Sequence, residues 1–195
     1  MSEQLPQSFL DNMANCNWRF GWHLLSDVIN AFGCRVGVEI GVAAGGHANT
    51  ILETTKVERL YGVDPYRSRE SYDDLMNLPQ SDFDELHRCA CLFLSPHGER
   101  FRMIRKASTD AASLITEPLD FVYIDAEHTY EAAKSDLALW YPKVKAGGIF
   151  SGHDYNSGAF PGVGKAVDEF SIAHGLTINT GPHFFWWAIS KGVNA

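Results

Sequence analysis

A short apolar run that stops on glycine governs what this chain can become. Residues 35–48 read RVGVEIGVAAGGHA. Val36, Val38 and Ile40 carry a carboxylate, Glu39, among them, and Gly41-x-x-x-Gly45-Gly46 follows at once. Short runs of β-branched residues ended by glycine form buried strands. Glycines at this spacing let the backbone turn tightly and bring the N–H groups of a following helix against a ligand. Such a strand–turn–helix is the first unit of an open α/β sheet.

The ligand follows from what the turn lacks. A dinucleotide turn reads G-x-G-x-x-G and delivers a pyrophosphate to the helix, but position 43 is alanine. Glu39 stands where its charge repels phosphates and suits a ligand with a positive end. Asp64 ends the next apolar run, residues 60–63, and lies 64 − 41 = 23 positions after Gly41. An acidic residue about 20 positions on grips a ribose diol. A ribose, a cationic neighbour and no phosphate describe S-adenosylmethionine. Tyr66 would then lie beside that cofactor.

Composition narrows the class. The 195 residues fit one domain, 1–195, with a sizeable core. A hydrophobic content of 45% excludes a disordered chain. A net charge of −8 argues against nucleic-acid binding, which needs clustered Lys and Arg. The densest basic run, Arg100, Arg102, Arg105 and Lys106, reads as a solvated strand edge. Four cysteines, Cys16, Cys34, Cys89 and Cys91, are too irregular for a disulfide framework. The N-terminus lacks the pattern of a signal peptide, and no apolar stretch approaches the roughly 18 residues of a membrane span. A soluble cytoplasmic protein with no membrane partner is the expectation.

Along the chain, residues 1–16 are polar and either loose or folded over the active site as a lid. A helical pattern covers 17–32. After strand 36–40 come a helix over 46–55, strand 60–63, and a polar stretch whose 68–72 is a second candidate lid. A helix over 81–94 has Ser81 as its expected N-cap. Strand 101–104, a helix to 115, strand 121–124, a helix from about 126 to 141, strand 149–152 and a helix over 163–174 follow. Strands 176–179 and 184–189 close as a hairpin. Alternation of this kind predicts a Rossmann-like, doubly wound, mainly parallel seven-stranded sheet with one antiparallel strand near the C-terminus.

Ligands in such sheets sit beyond the carboxyl ends of the strands. Those ends carry Glu39, Asp64, Ala107-Ser108, Asp125 with His128, and His153-Asp154. Carboxylate oxygens suit Mg²⁺. A bound cation lowers the pKa of a substrate hydroxyl, and a histidine takes its proton. Asp125 also reads as the N-cap of the following helix, and Glu127 and His128 as solvated first-turn residues. His47, just after the glycines, reads more readily as a surface or capping residue than as a neighbour of the cofactor. Trp186 and Trp187 read as core on one face, only one of them able to reach a substrate because strand neighbours point oppositely.

The segments VEIGVAAGG, GVD, KASTD, DFVYIDAEHTYEAAKSDL and GGIFSGHDYN, in that order, resemble the class I S-adenosylmethionine-dependent methyltransferases. The small-molecule O-methyltransferase branch, with its catechol and macrolide-sugar enzymes, is the nearest match, over about residues 36–170. The resemblance implies an enzyme that methylates a hydroxyl of a small acceptor, with Mg²⁺ assistance. Glu39, Gly41 and Gly45 would border the methionine end, Asp64 the ribose and Ser108 the adenine. Asp125 and Asp154 would hold the metal, with Asp125 beside the cofactor as well, and His128 would be the general base. Relatives carry a second Asp or Asn next to the second metal carboxylate, whereas here His153 precedes it and Tyr155 follows. His153, Asn156 or water would complete the metal site, or the metal is absent. Compact relatives of this kind are often dimers, so the resemblance implies a homodimer as an expectation. Two rival readings remain: a non-catalytic cofactor-binding protein, motivated by Tyr155, and an NAD-dependent oxidoreductase, disfavoured by Glu39 and the missing middle glycine.

Overall fold

The computed structural model describes residues 4–15, 21–70 and 77–192. Seven strands form one sheet: β1 (Val36–Ile40), β2 (Arg59–Val63), β3 (Phe101–Ile104), β4 (Leu119–Ile124), β5 (Val144–Gly152), β6 (Asn179–Thr180) and β7 (Trp186–Ile189). Their spatial order is β3-β2-β1-β4-β5-β7-β6. Neighbours among β1 to β5 pair parallel, and β7 runs antiparallel to both β5 and β6. The expected doubly wound sheet with one reversed strand is therefore present.

Helices α1 (Gln7–Asn15), α2 (His23–Phe32), α3 (Gly46–Thr54), α4 (Gln80–Leu94), α5 (Ser108–Ala111), α6 (Tyr130–Trp140) and α7 (Pro161–His174) flank the sheet. Successive residues of a strand point to opposite faces, so each central strand feeds two cores. Val38, Ile40, Val122 and Phe150 pack with Leu137, Trp140, Ala166 and Val167 of α6 and α7. Phe121, Tyr123 and Ile149 pack with Leu25, Ile29, Ile51 and Leu52 of α2 and α3. Burial on both faces explains why these strands read as continuous apolar runs. Each large side chain so buried stabilises the fold by about 1.5–3 kcal/mol.

Strand order reverses between β1 and β4, and a crevice opens there beyond the carboxyl ends of the strands. Gly41 leaves β1 with φ +94°, and a Cβ on it would sit 1.8 Å from the carbonyl oxygen of Asp125. The N–H of Asp125 in turn donates to the Ile40 carbonyl at 2.8 Å. Glycine is required here both for its backbone angle and for the close approach of the loop after β4.

Several expectations need correction. Pro79, not Ser81, stands at the N-cap of α4, and Ser81 lies inside the first turn with its hydroxyl on Asp82. Thr129 caps α6 by accepting from the Ala132 N–H, so Asp125 is not the cap and residues 125–129 form a loop. Arg102, Arg105 and Lys106 of the basic run are exposed along or just after the edge strand β3, as expected. Arg100 is not: its guanidinium donates to the carbonyls of Val57, Leu52 and Thr55, tying down the end of α3. Trp186 and Trp187 point oppositely, as neighbours on a strand must: Trp186 lies in the core with α6 and α7, and Trp187 packs against the core on the other face and meets Phe32 edge-on. In the N-terminal stretch, α1 sets Phe9 edge-on to Phe93 of α4 and Met13 beside Gly46. Residues 17–20 of the expected first helix and 71–72 of the second candidate lid lie outside the described residues. Cys34, Cys89 and Cys91 are free thiols. Among the described residues no helix is long and apolar enough to cross a membrane.

Candidate active site

Three carboxylate-centred arrangements surround the crevice. The first is Glu39, 2% exposed near the end of β1. Its Oε1 lies 2.7 Å from Nδ1 of His47 in the first turn of α3. Its Oε2 is buried and has no hydrogen-bond partner among the described residues. Burial pushes the Glu39 carboxyl up, and the neighbouring His47 opposes that rise. An orphaned buried carboxylate oxygen is costly, so this position fits a cationic ligand group.

The second is Asp64, after β2. Its Oδ2 accepts from the N–H groups of Val42 and Ala43 at 3.1 and 3.0 Å, and its Oδ1 accepts from Tyr66 at 2.8 Å. Burial raises this carboxyl while the three N–H bonds oppose the rise. Asp64 therefore shapes the glycine turn as well as facing the crevice. Oδ1 takes a single N–H and retains acceptor capacity for a hydroxyl. Tyr66 differs from expectation: it is fully buried, and its hydroxyl donates to the Ala43 carbonyl at 2.8 Å. Its ring braces the turn from beneath. Ser108 differs likewise. Its hydroxyl donates to Asp136 and accepts from the Trp140 indole at 2.7 Å, which turns it into α6. Burial pushes the Asp136 carboxyl up to about 6, against the pull of the Ser108 hydrogen bond.

The third arrangement joins the ends of β4 and β5. Asp125, His128 and Asp154 each offer a ligand atom, all within 4.8 Å of one another. Nε2 of His128 lies 3.1 Å from Asp154 Oδ2 and 3.8 Å from Asp125 Oδ1. Phe160 stacks on the His128 ring at 4.0 Å, fixing its plane. Burial works against the charge of Asp154, yet hydrogen bonds from His128 and His153 hold its carboxyl well below the usual range. His153 was the expected third donor. Its Nδ1 lies 3.3 Å from Asp154 Oδ2, but it falls outside the set that also includes Asp125. Tyr155 turns away, its hydroxyl donating to Asp168 of α7 at 2.7 Å. Two carboxylates and an imidazole suit a divalent cation of the Mg²⁺ or Mn²⁺ kind.

Backbone strain gathers around the same crevice. The non-glycine residues with positive φ among those described are Ala43, Tyr66, Asp154, Asn156, His183 and Phe184. The first two belong to the glycine-turn side, and the other four flank the Asp154 side. Residues held in this region are uncommon and tend to mark functional sites. Sequence reading missed three features. His47 as the partner of Glu39 had a faint signal, a histidine just past the glycines. Phe160 over His128, and the ion pair of Arg69 with Glu127 that bridges the loops after β2 and β4, had none.

Residues 38–155, more than half the chain, match the family described as methyltransferase domain, and the chain belongs to that family. With its sheet order it is a class I S-adenosylmethionine-dependent methyltransferase. An uncharacterised protein of Acanthamoeba polyphaga mimivirus is 24% identical over 171 residues, 82% of this chain and 72% of that one. The O-methyltransferase NovP superposes with a TM-score of 0.67 at 17% identity, covering 89% of this chain and 79% of its own. The Bacillus cereus O-methyltransferase, solved in complex with SAH, gives 0.61 at 13% identity and covers 94% and 89%. TomG from Streptomyces achromogenes, involved in tomaymycin synthesis and solved with SAM, gives 0.61 at 14% identity over 88% and 79%. At these identities the solved structures speak for the fold.

Proposed function

We propose that this methyltransferase moves the methyl group of S-adenosylmethionine to a hydroxyl of a small acceptor, a sugar or natural-product type of molecule, with a divalent cation assisting. The carrying observation is the cluster of Asp125, His128 and Asp154 beside a glycine turn that leaves a buried carboxylate oxygen unpartnered. Glu39 would take the cofactor's ammonium at Oε2, and Asp64 a ribose hydroxyl at Oδ1. Asp125 and Asp154 would hold the cation, whose charge lowers the pKa of an acceptor hydroxyl. His128 takes the acceptor's proton at Nε2, with its ring plane set by Phe160. The resulting oxyanion meets the sulphonium methyl in line, so orientation supplies much of the rate.

A second role for His128 is favoured by its 3.1 and 3.8 Å distances to the two carboxylates. At that position the imidazole is a third ligand rather than a base. Methyl transfer to a panel of hydroxylated acceptors, with Mg²⁺ and with EDTA, tests the whole reading. Turnover that needs the cation, and is lost on Asp125→Asn, is the expected result. Full activity of Asp125→Asn refutes the metal role, and absence of adenosylhomocysteine binding under both conditions refutes the cofactor. Loss of cation affinity in His128→Ala assigns a ligand, whereas loss of turnover alone assigns the base.

A further inference from the structure

We infer that His47 is a positioning residue for cofactor recognition, holding Glu39 so that the site reads the amino-acid end of the cofactor. The inference rests on the cofactor reading above and adds a residue to it. His47 is the second residue of α3, and its imidazole is clamped on two sides. Nδ1 lies 2.7 Å from Glu39 Oε1, and the ring lies 4.3 Å from the ring of Tyr123 on β4. The side chain is 11% exposed, so little room is left for another orientation.

A purely structural pair would satisfy both oxygens of a buried carboxylate, because an unpaired buried acceptor carries the full desolvation cost. Here one oxygen is tied to the imidazole and the other, also buried, has no partner among the described residues. The Nδ1–H of His47 donates to Oε1 and thereby orients Oε2. What completes Oε2 must be a donor, and a cationic one matches the charge of Glu39. The α-ammonium of a methionine-like tail has that chemistry. The start of α3 lies next to this pair, and unsatisfied N–H groups of a helix's first turn attract a carboxylate. Ammonium and carboxylate of one amino acid would thus meet complementary groups built from two neighbouring elements, β1 and α3.

Discrimination between two ligands that share the adenosine and differ in the tail reports this role. S-adenosylhomocysteine carries the amino acid, and methylthioadenosine lacks it. Calorimetry on the wild-type protein should show a clear preference for the former. In His47→Ala that preference should fall roughly 10-fold or more, since a charge-assisted hydrogen bond is being removed, while methylthioadenosine binds as before. His47→Asn keeps an N–H donor near the Nδ1 position and should restore most of the preference. In a Glu39→Gln background, His47→Ala should change nothing further.

Equal weakening of both ligands, or an unchanged preference, overturns the role of His47 and leaves the cofactor reading standing. Wild-type protein that binds neither ligand overturns both. If His47→Ala does not fold, the imidazole nitrogen resonances of His47 decide. They should move when adenosylhomocysteine binds and stay in place with methylthioadenosine, and the same response to both ligands refutes the inference.

Discussion

Replacing Asp136 by Asn should make this protein more stable at neutral pH and leave it unchanged in acid. Asp136 lies on α6, 6% exposed, and its partner is the Ser108 hydroxyl. Burial pushes its carboxyl to about 6, against 3.8 for an ordinary aspartate. Below about pH 4 the group is protonated whether the chain is folded or not. Between about pH 4 and 6 the unfolded chain releases its proton and the folded one keeps it. The folded state then binds more protons, so stability falls as pH rises. Above the folded value both forms are charged and the cost is fully expressed. At about 1.4 kcal/mol per pH unit the difference comes to about 3 kcal/mol. Asn keeps a carbonyl oxygen to accept from Ser108 and carries no charge.

Urea unfolding followed by circular dichroism, wild type against Asp136→Asn, measures this directly. We expect a gain of about 1–3 kcal/mol near pH 7.5. A chain of this length should then melt roughly 3–10 °C higher. Near pH 4 the two proteins should unfold alike. No gain at neutral pH, or a difference that does not vary with pH, refutes the argument that the cost is the buried charge.

Other expectations are equally open to measurement. Gly41→Ala should lose roughly 4 kcal/mol or more or fail to fold, because its Cβ would meet the Asp125 carbonyl at 1.8 Å; a soluble variant of near-native melting temperature contradicts this. Thr129→Ala removes the cap of α6 and should cost about 1 kcal/mol in chemical denaturation. Arg100→Ala strips three carbonyls of a guanidinium donor and should cost about 2–3 kcal/mol by the same assay. It lies outside the crevice, so adenosylhomocysteine affinity should hold at temperatures where the variant stays folded.

The architecture was legible because it is written in period and punctuation. The apolar runs of β1, β2, β4 and β5, each closed by glycine or a carboxylate, mark the central strands, and the alternation with helices points to a parallel sheet. The last strand pair was legible through its turn residues. Boundaries were less so: His183 and Phe184 adopt positive φ and cut β7 to Trp186–Ile189, which no local pattern announces. The misplaced N-cap of α4 has a similar origin, since Ser81 has capping chemistry but Pro79 sets where the helix starts.

By itself, then, the sequence determined which residues stand at the strand ends, because chain order and strand period are local properties. Glu39, Asp64, Asp125 and Asp154 are of that kind. Where each side chain turns was decided by packing between elements far apart in the chain. Ser108 faces Asp136 and Trp140 because α6 packs against that side, and Tyr66 lies under Ala43 because the loop after β2 folds beneath the glycine turn. His128 rather than His153 joins both carboxylates, since Phe160 sets its ring. His47 became a partner of Glu39 only when α3 docked over β1. Such orientations are long-range by nature, and a spacing read along one chain cannot hold them.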